Sequence, residues 1–164
     1  MNRLISILIL GIQFGITFVL TVCIYMVFAL LDYGGGFDSF IGLTLFQPII
    51  AVVISILTIL CCLIIGLPIR LISRMKSWWT RHFYVSILLI LIGLILLGLS
   101  LTPYFIESTT IIKDGFETTE KIPNNGLVIT GWFLTAFSTL HMYPPKQLID
   151  KAQTLLTNLK KQNK

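Results

Sequence analysis

The sequence predicts an all-α membrane protein in which four transmembrane helices form one domain over residues 1–164. The composition is the first observation behind this prediction: 55% of the residues are apolar types, only 12% are charged, and mean hydropathy is +0.91. A soluble domain carries about 25% charged residues, because its surface must be solvated. Four long apolar runs and a one-sided distribution of lysine and arginine are the other two observations.

Each of the four apolar runs is long enough to cross a lipid bilayer, which takes ~20 residues at ~1.5 Å per residue. The runs are residues 4–31, 40–67, 84–101 and 126–143, and the last is the shortest and most polar. The first run is far longer than the apolar part of a signal peptide, so we expect it to remain as a span.

The distribution of basic residues predicts the orientation of these spans. Of the twelve lysines and arginines, ten lie at the amino tip, in the loop 68–83 and in the tail 144–164, and only Lys113 and Lys121 lie in the loop 102–125. Basic residues are retained on the cytoplasmic side, so we expect both termini and the loop 68–83 in the cytoplasm and the loop 102–125 outside. The compact chain, which has no N-glycosylation sequence, favours a bacterial inner (cytoplasmic) membrane as its host.

The basic loop 68–83 has the pattern of a helix that lies in the membrane interface. On a single helix, Arg70, Arg74 and Arg81 share one face, whereas Trp78 and Trp79 fall among apolar residues on the other. Cations opposite aromatic residues are typical of interfacial helices, which contact anionic lipids. Docking of an acidic partner is the second interpretation. Nucleic-acid binding is not expected, because no nucleic-acid motif accompanies the charges.

The tail 144–164 and the loop 102–125 also carry local patterns. Apolar residues of the tail recur at helical spacing, which predicts an amphipathic helix. Three uses of that helix are open: a place on the inner leaflet, a contact with the loop helix, or pairing with another chain. In the outer loop, weak alternation predicts a hairpin with strands at 109–113 and 116–121.

Small and hydroxyl-bearing residues predict the faces on which the helices pack, because membrane helices associate through such residues. We expect all of these faces to point inward. They comprise Gly11, Gly15, Gln13, Thr17 and Thr21 in the first run, Thr44, Pro48, Ala51, Ser55, Thr58 and Cys62 in the second, Ser86, Gly93 and Ser100 in the third, and Gly131, Thr135 and Ser138 in the fourth.

An alternative use of the stripe in the second run is a path for ions or a small molecule around Gln47, Ser55 and Thr58. Transport sites usually contain an ionisable residue at membrane depth, and this chain has none in the middle of a span. Gln13 and Gln47 lie at different depths, so hydrogen bonds to other helices are favoured over binding of a substrate. Pro48 is expected to bend its helix.

Sequence motifs of enzymes are absent, since the chain has no HExxH, GxSxG, P-loop or GxGxxG sequence. An outer-face site built from the carboxylates of Asp32, Asp38 and Glu107 is a third alternative. We expect no cofactor and no metal site. The favoured function is a non-enzymatic accessory, assembly or interaction subunit whose partners are the bilayer and another membrane protein or a second copy of this chain.

Overall fold

A computed structural model describes residues 3–113 and 116–144 together with Thr154, and these are mostly helical. Helix α1 comprises Arg3–Leu31, α2 Phe37–Ile41, α3 Gln47–Ile65, α4 Leu67–Leu71, α5 Ser73–Arg81, α6 Phe83–Ser100 and α7 Asn125–Leu140. Strand β1 comprises Glu107–Lys113 and β2 comprises Phe116–Ile122. The amphipathic tail helix expected over 144–164 lies outside the described residues, except that Pro144 is described and Thr154 is helical.

Three helical stretches within the described ranges are long and apolar enough to cross a membrane: Ile7–Leu31, Phe37–Ile65 and Phe83–Ser100. Large aliphatic and aromatic side chains are exposed on their outward surfaces. Helix α7 is apolar but shorter, with 16 residues and a length of ~24 Å against a hydrocarbon core of ~30 Å. The protein is therefore a membrane protein by composition, and α7 differs from the other long helices in length.

The second stretch is continuous but irregular near Pro48. Residues Gly42–Phe46 form a π-helical turn that joins α2 to α3, and the Gln47 N–H donates to the Gly42 carbonyl five residues earlier. Proline lacks an N–H, and its ring clashes with the carbonyl four residues before it. The wider turn relieves this conflict without ending the helix. The sequence predicts a bend at Pro48, and the structure shows a π-helical turn directly before this residue.

Helix α7 occupies the centre of the molecule, where it packs against α1, α3 and α6. It runs antiparallel to α6, and the two backbones approach closely: a Cβ on Gly131 would lie 2.7 Å from the Gly93 carbonyl oxygen. Its last residues meet the end of α3 and the first half of α1. We call the end of the molecule that carries α4 and α5 the basic end, and the end that carries β1 and β2 the hairpin end.

The packing stripes of α3, α6 and α7 point inward over most of their length. The buried members are Ala51, Ser55, Thr58 and Cys62 of α3, Ser86, Gly93 and Ser100 of α6, and Gly131, Thr135 and Ser138 of α7. Two members of the predicted α3 stripe are not buried: Thr44 lies exposed in the π-helical turn, and Pro48 is half-buried. On α1, Gln13, Thr17 and Thr21 are buried as well.

Gly11 and Gly15 do not lie where the sequence was expected to place them. Both are exposed, and an added Cβ would meet nothing within 4 Å. Successive residues turn by ~100° around an α-helix, so positions two apart from Gln13 lie ~160–200° away from it. The glycine pair and the Gln13 stripe therefore occupy opposite faces of α1, and only one of them can point inward.

The basic loop also differs from the single helix expected over residues 68–83. It forms two short helices, α4 and α5, separated by Ile72, whose backbone is extended at φ −85° and ψ 112°. Ile69 of α4 is buried, and α4 packs close to the end of α3. The break lets α4 turn into the molecule while α5 keeps an exposed surface, which one straight helix could not do.

The hairpin expected in the loop 102–125 is confirmed, so the fold is not entirely α-helical. β1 and β2 pair antiparallel from Glu107 opposite Ile122 to Lys113 opposite Phe116. Asn124 joins this hairpin to α7. Its Oδ1 accepts a bond from the Leu127 N–H at 2.9 Å, which caps the helix, and its Nδ2 donates to Glu107 Oε1 at 2.6 Å.

Candidate functional site

A cluster of buried polar groups closes the basic end of the helices. Gln13 Nε2 donates to the Met142 carbonyl at 2.8 Å, and Arg70 Nη2 donates to the Leu140 carbonyl at 3.1 Å. The last carbonyls of a helix have no partner within it, and a cation is favourable there because of the helix dipole. Gln13 and Arg70 therefore complete the carboxyl end of α7. We call Gln13, Arg70 and His141 the basic-end cluster.

His141 fits into a space that only glycine leaves open. Its side chain is fully buried, and a Cβ added to Gly66 would overlap the imidazole ring. The Phe137 carbonyl can only accept, so His141 Nδ1 carries a proton and donates to it at 2.9 Å. His141 Nε2, Gln13 Oε1 and Arg70 Nε are buried without a hydrogen-bond partner in the described chain. This end of the molecule is consequently held by close packing as well as by hydrogen bonds.

Helix α5 presents an exposed surface beside this cluster. Arg74, Met75 and Trp78 are exposed, and together with Trp79 they line an apolar groove of about 320 Å³. Arg81, which the sequence places in the same set, is also exposed. No acidic residue lies among the described residues of this end. We call Arg74, Met75, Trp78 and Arg81 the α5 surface.

Two residues of the loop 68–83 that the sequence predicts at the membrane interface or at a partner point into the molecule instead. Arg70 binds α7 through the Leu140 carbonyl. The ring of Trp79 meets Phe137 of α7 edge-on at 6.3 Å between centroids, and its Nε1 is buried without a partner in the described chain. Trp78, by contrast, is 49% exposed and stacks on His82 at 4.8 Å. Within the loop 68–83, Arg70 and Trp79 therefore contact α7, whereas the residues of the α5 surface remain exposed.

The polar residues expected along a path are engaged between helices. The Tyr25 hydroxyl donates to Gln47 Oε1 at 2.8 Å, which joins α1 to α3. Trp132 Nε1 donates to Thr58 Oγ1 at 3.0 Å, which joins α7 to α3. The Ser55 hydroxyl is buried and has no hydrogen-bond partner in the described chain. The first two contacts join α3 to α1 and to α7. Of Gln47, Ser55 and Thr58, Ser55 is therefore the one without a side-chain hydrogen bond in the described chain.

A cavity of about 480 Å³ lies at the hairpin end, and we call it the hairpin-end cavity. Its polar lining comes from Tyr25, Asp32, Gln47, Lys121 and Asn125. Apolar side chains of α1, of the end of α6 and of the hairpin complete its wall. It combines both signs of charge with two amide side chains and a phenol, which is suited to a ligand that carries both charges.

The three outer carboxylates do not share one site. Asp32 lines the hairpin-end cavity, whereas Asp38 lies in the first turn of α2 and does not contribute to its wall. Glu107 accepts the hydrogen bond from Asn124 and also lies outside that wall. Among the described residues no group of three His, Cys, Asp or Glu side chains could hold a metal ion.

A second, apolar groove of about 410 Å³ runs between α3 and α7. Ile54, Leu57 and Cys61 of α3 line one side, and Ile129 and Phe133 of α7 line the other. The exposed lining is almost wholly hydrocarbon, because the polar atoms of Tyr25, Thr58 and Trp132 at its wall are engaged in hydrogen bonds between helices. It therefore offers volume with few groups free to orient a polar ligand.

Tyr25, Lys121, Trp132 and His141 were not singled out as site residues from the sequence. Tyr25 and Trp132 donate to two of the predicted path residues, and a tyrosine or tryptophan inside an apolar run is a usable signal, because its polar atom needs a partner when buried. No comparable signal marks Lys121 or His141, since their roles depend on contacts with distant parts of the chain.

Comparison of the chain with family models, curated protein sequences and solved structures finds no match.

Proposed function

We propose that this chain is a non-enzymatic membrane protein that acts by association, as an accessory, assembly or interaction subunit of a larger complex. Four helices cross a bacterial inner membrane with both termini in the cytoplasm, and α7 is the shortest of them. The partner is another membrane protein whose cytoplasmic edge is acidic. The observation that carries this proposal is the α5 surface, which remains exposed while Arg70 and Trp79 of the same loop contact α7.

The composition of the α5 surface supports binding of such a partner. Arginine, tryptophan and methionine are enriched in protein interfaces, and the strongest contributions to affinity come mostly from tryptophan, tyrosine and arginine. Trp78 and Met75 expose apolar area next to the cations of Arg74 and Arg81. Since no acid of the described basic end neutralises these cations, an acidic partner is the complementary one. The same residues seat α5 at the level of the lipid phosphates.

The interior contacts support association rather than conduction. Gln13, Gln47 and Thr58 each bond to a neighbouring helix or to the segment after α7. A hydrogen bond of this kind stabilises helix packing, and an atom engaged in it is less available to a passing ion.

The experiment measures the mass of the protein extracted from its native membrane into nanodiscs or mild detergent at low salt. We expect a complex heavier than one chain, whose second component is lost in Arg74→Glu and in Trp78→Ala. The matched control is Tyr104→Ala, which removes an aromatic ring that is 93% exposed beyond α6 and leaves the complex intact. A monomer from the native chain would contradict the proposal.

A small oligomeric channel or carrier is the second candidate, and the unpartnered hydroxyl of Ser55 favours it. A path along α3 predicts flux of ions or small solutes into liposomes that contain the purified chain. Ser55→Leu and Thr58→Leu would then block the flux. Flux unchanged by both substitutions would exclude this path, and liposomes without flux would exclude the candidate.

A further inference from the structure

We infer that the hairpin-end cavity binds the headgroup of a zwitterionic phospholipid with a primary ammonium, of which phosphatidylethanolamine is the simplest. This binding is separate from the proposed association at the α5 surface, because the two sites lie at opposite ends of the molecule.

The charges on the cavity wall carry the inference. The Asp32 carboxylate and the Lys121 ammonium both line the cavity, and neither forms an ion pair or a side-chain hydrogen bond within the described part of the chain. A ligand that supplies an ammonium to Asp32 and a phosphate to Lys121 satisfies both groups. Charge-assisted hydrogen bonds of this kind are about twice as strong as neutral ones.

The neutral groups of the cavity match the rest of such a ligand. Gln47 Oε1 accepts the hydrogen bond from the Tyr25 hydroxyl. Gln47 Nε2 forms no hydrogen bond within the described chain, so this nitrogen can donate to a phosphate or ester oxygen of the ligand. Phe28, Leu101 and Ile122 contribute apolar wall for the glycerol and the first methylenes of the acyl chains. The volume of about 480 Å³ lies within the range of small-molecule sites.

The position of the cavity favours a lipid over a dissolved solute. Asp32 directly follows the apolar stretch Ile7–Leu31, and Leu101 directly follows Phe83–Ser100. The cavity thus lies where the hydrocarbon core gives way to the headgroup layer. At that depth phospholipid headgroups are the most abundant zwitterions, and their acyl chains can remain in the bilayer.

The test is native mass spectrometry of the full chain in mild detergent, titrated with palmitoyl-oleoyl phosphatidylethanolamine or with the matching phosphatidylcholine. Both lipids are zwitterionic, but the quaternary ammonium of phosphatidylcholine cannot donate a hydrogen bond. We expect phosphatidylethanolamine to bind about tenfold more tightly, which corresponds to one charge-assisted hydrogen bond. Asp32→Asn removes this preference, and Lys121→Gln weakens binding of both lipids.

Asp38→Asn is the matched control, because it neutralises an exposed carboxylate of the same end outside the cavity; it leaves the preference unchanged. Phosphatidylcholine still bound to Asp32→Asn shows that this variant is folded. Equal affinity of the native chain for the two lipids, or an equal effect of Asp38→Asn and Asp32→Asn, would overturn the inference. Displacement of the lipid by an equal concentration of glycerophosphoethanolamine would overturn the assignment to a membrane lipid.

Discussion

The basic end is closely packed at Gly66. The imidazole of His141 occupies the space where any other residue would carry its Cβ. The backbone of Gly66 has φ −85° and ψ 0°, which other residues adopt as well. The requirement for glycine is thus one of space between the end of α3 and the residue that follows α7, not one of backbone conformation.

Gly66→Ala should therefore destabilise the protein, by about 1–3 kcal/mol as for other overpacked interiors. Tryptophan fluorescence during thermal unfolding in mild detergent measures the effect. Gly11→Ala and Gly15→Ala are the matched controls, because a Cβ at either position meets nothing. Both should leave stability unchanged or raise it by up to ~1 kcal/mol through helix propensity. Equal melting temperatures for Gly66→Ala and the native chain would contradict the packing described at His141.

Arg70 and Arg74 should respond differently to the same substitution. Arg70→Gln removes the charged donor to the Leu140 carbonyl and should cost about 1.5–3 kcal/mol, the range for hydrogen bonds to charged groups. Arg74 is exposed, so Arg74→Gln should change stability by less than ~0.5 kcal/mol. Chemical unfolding followed by circular dichroism compares the two, and an equal loss in both variants would be inconsistent with the inward position of Arg70.

The inward position of Arg70 could not be predicted from the sequence. Charge patterning placed it with Arg74 on one helical face, and that inference assumed a continuous helix. The break at Ile72 has no proline or glycine of its own to announce it. The contact that favours the break is the hydrogen bond from the Arg70 guanidinium to the Leu140 carbonyl, seventy residues away at the carboxyl end of α7.

Among the elements, α6 and α7 make the closest helix contact, at Gly93 and Gly131. Gly131→Ala should weaken it by about 1–3 kcal/mol, because its Cβ would meet the Gly93 carbonyl oxygen at 2.7 Å and a backbone atom cannot rotate away. Gly98→Ala is the control on α6, since a Cβ there meets nothing. Loss of helicity during titration with a denaturing detergent is the measurement. A Gly98→Ala variant as unstable as Gly131→Ala would show that the contact is not responsible.

At the scale of elements, the sequence predicts which helices and strands form better than it predicts which of them pack against each other. The apolar runs agree with α1, α6, α7 and the continuous stretch Phe37–Ile65 to within about three residues at each end. Alternation in 102–125 predicts the hairpin. The period of small residues identifies the inward face of α3, because that helix carries one stripe. On α1 it is ambiguous, since Gly11 and Gln13 head two stripes on opposite faces, and only the neighbouring helices decide between them.

For the molecule as a whole, the distribution of lysine and arginine predicts that the two ends lie in different compartments. Single cysteines at Ser77 of α5 and Ser108 of β1, both exposed, test this in a chain whose Cys23, Cys61 and Cys62 are replaced by alanine. A membrane-impermeant maleimide applied to intact cells should label position 108 and not position 77. Two outcomes would contradict the proposed crossing of four helices, because each places both positions in one compartment. In the first, both positions are labelled in intact cells. In the second, neither is labelled until the cells are lysed.

The arrangement of the four long helices around one another was not predictable from the sequence. Each stripe indicates that a helix has neighbours, but not which ones. The polar character of the run 126–143 is the one hint to the central place of α7, because a helix surrounded by others can bury Thr135, Ser138 and Thr139 without exposing them to lipid.

The central place of α7 has a consequence for biogenesis. This helix leaves the ribosome last of the long helices, yet α6 packs mainly on it. Until α7 emerges, α6 and the α1–α3 pair remain in the bilayer as separate pieces. Gly93, Thr58 and Gln13 then lack the contacts that they make with α7 or with the segment after it. Nascent chains stalled before Asn125 should therefore be recognised by membrane quality-control proteases, and survival of the protein should depend on how quickly α7 joins the other long helices.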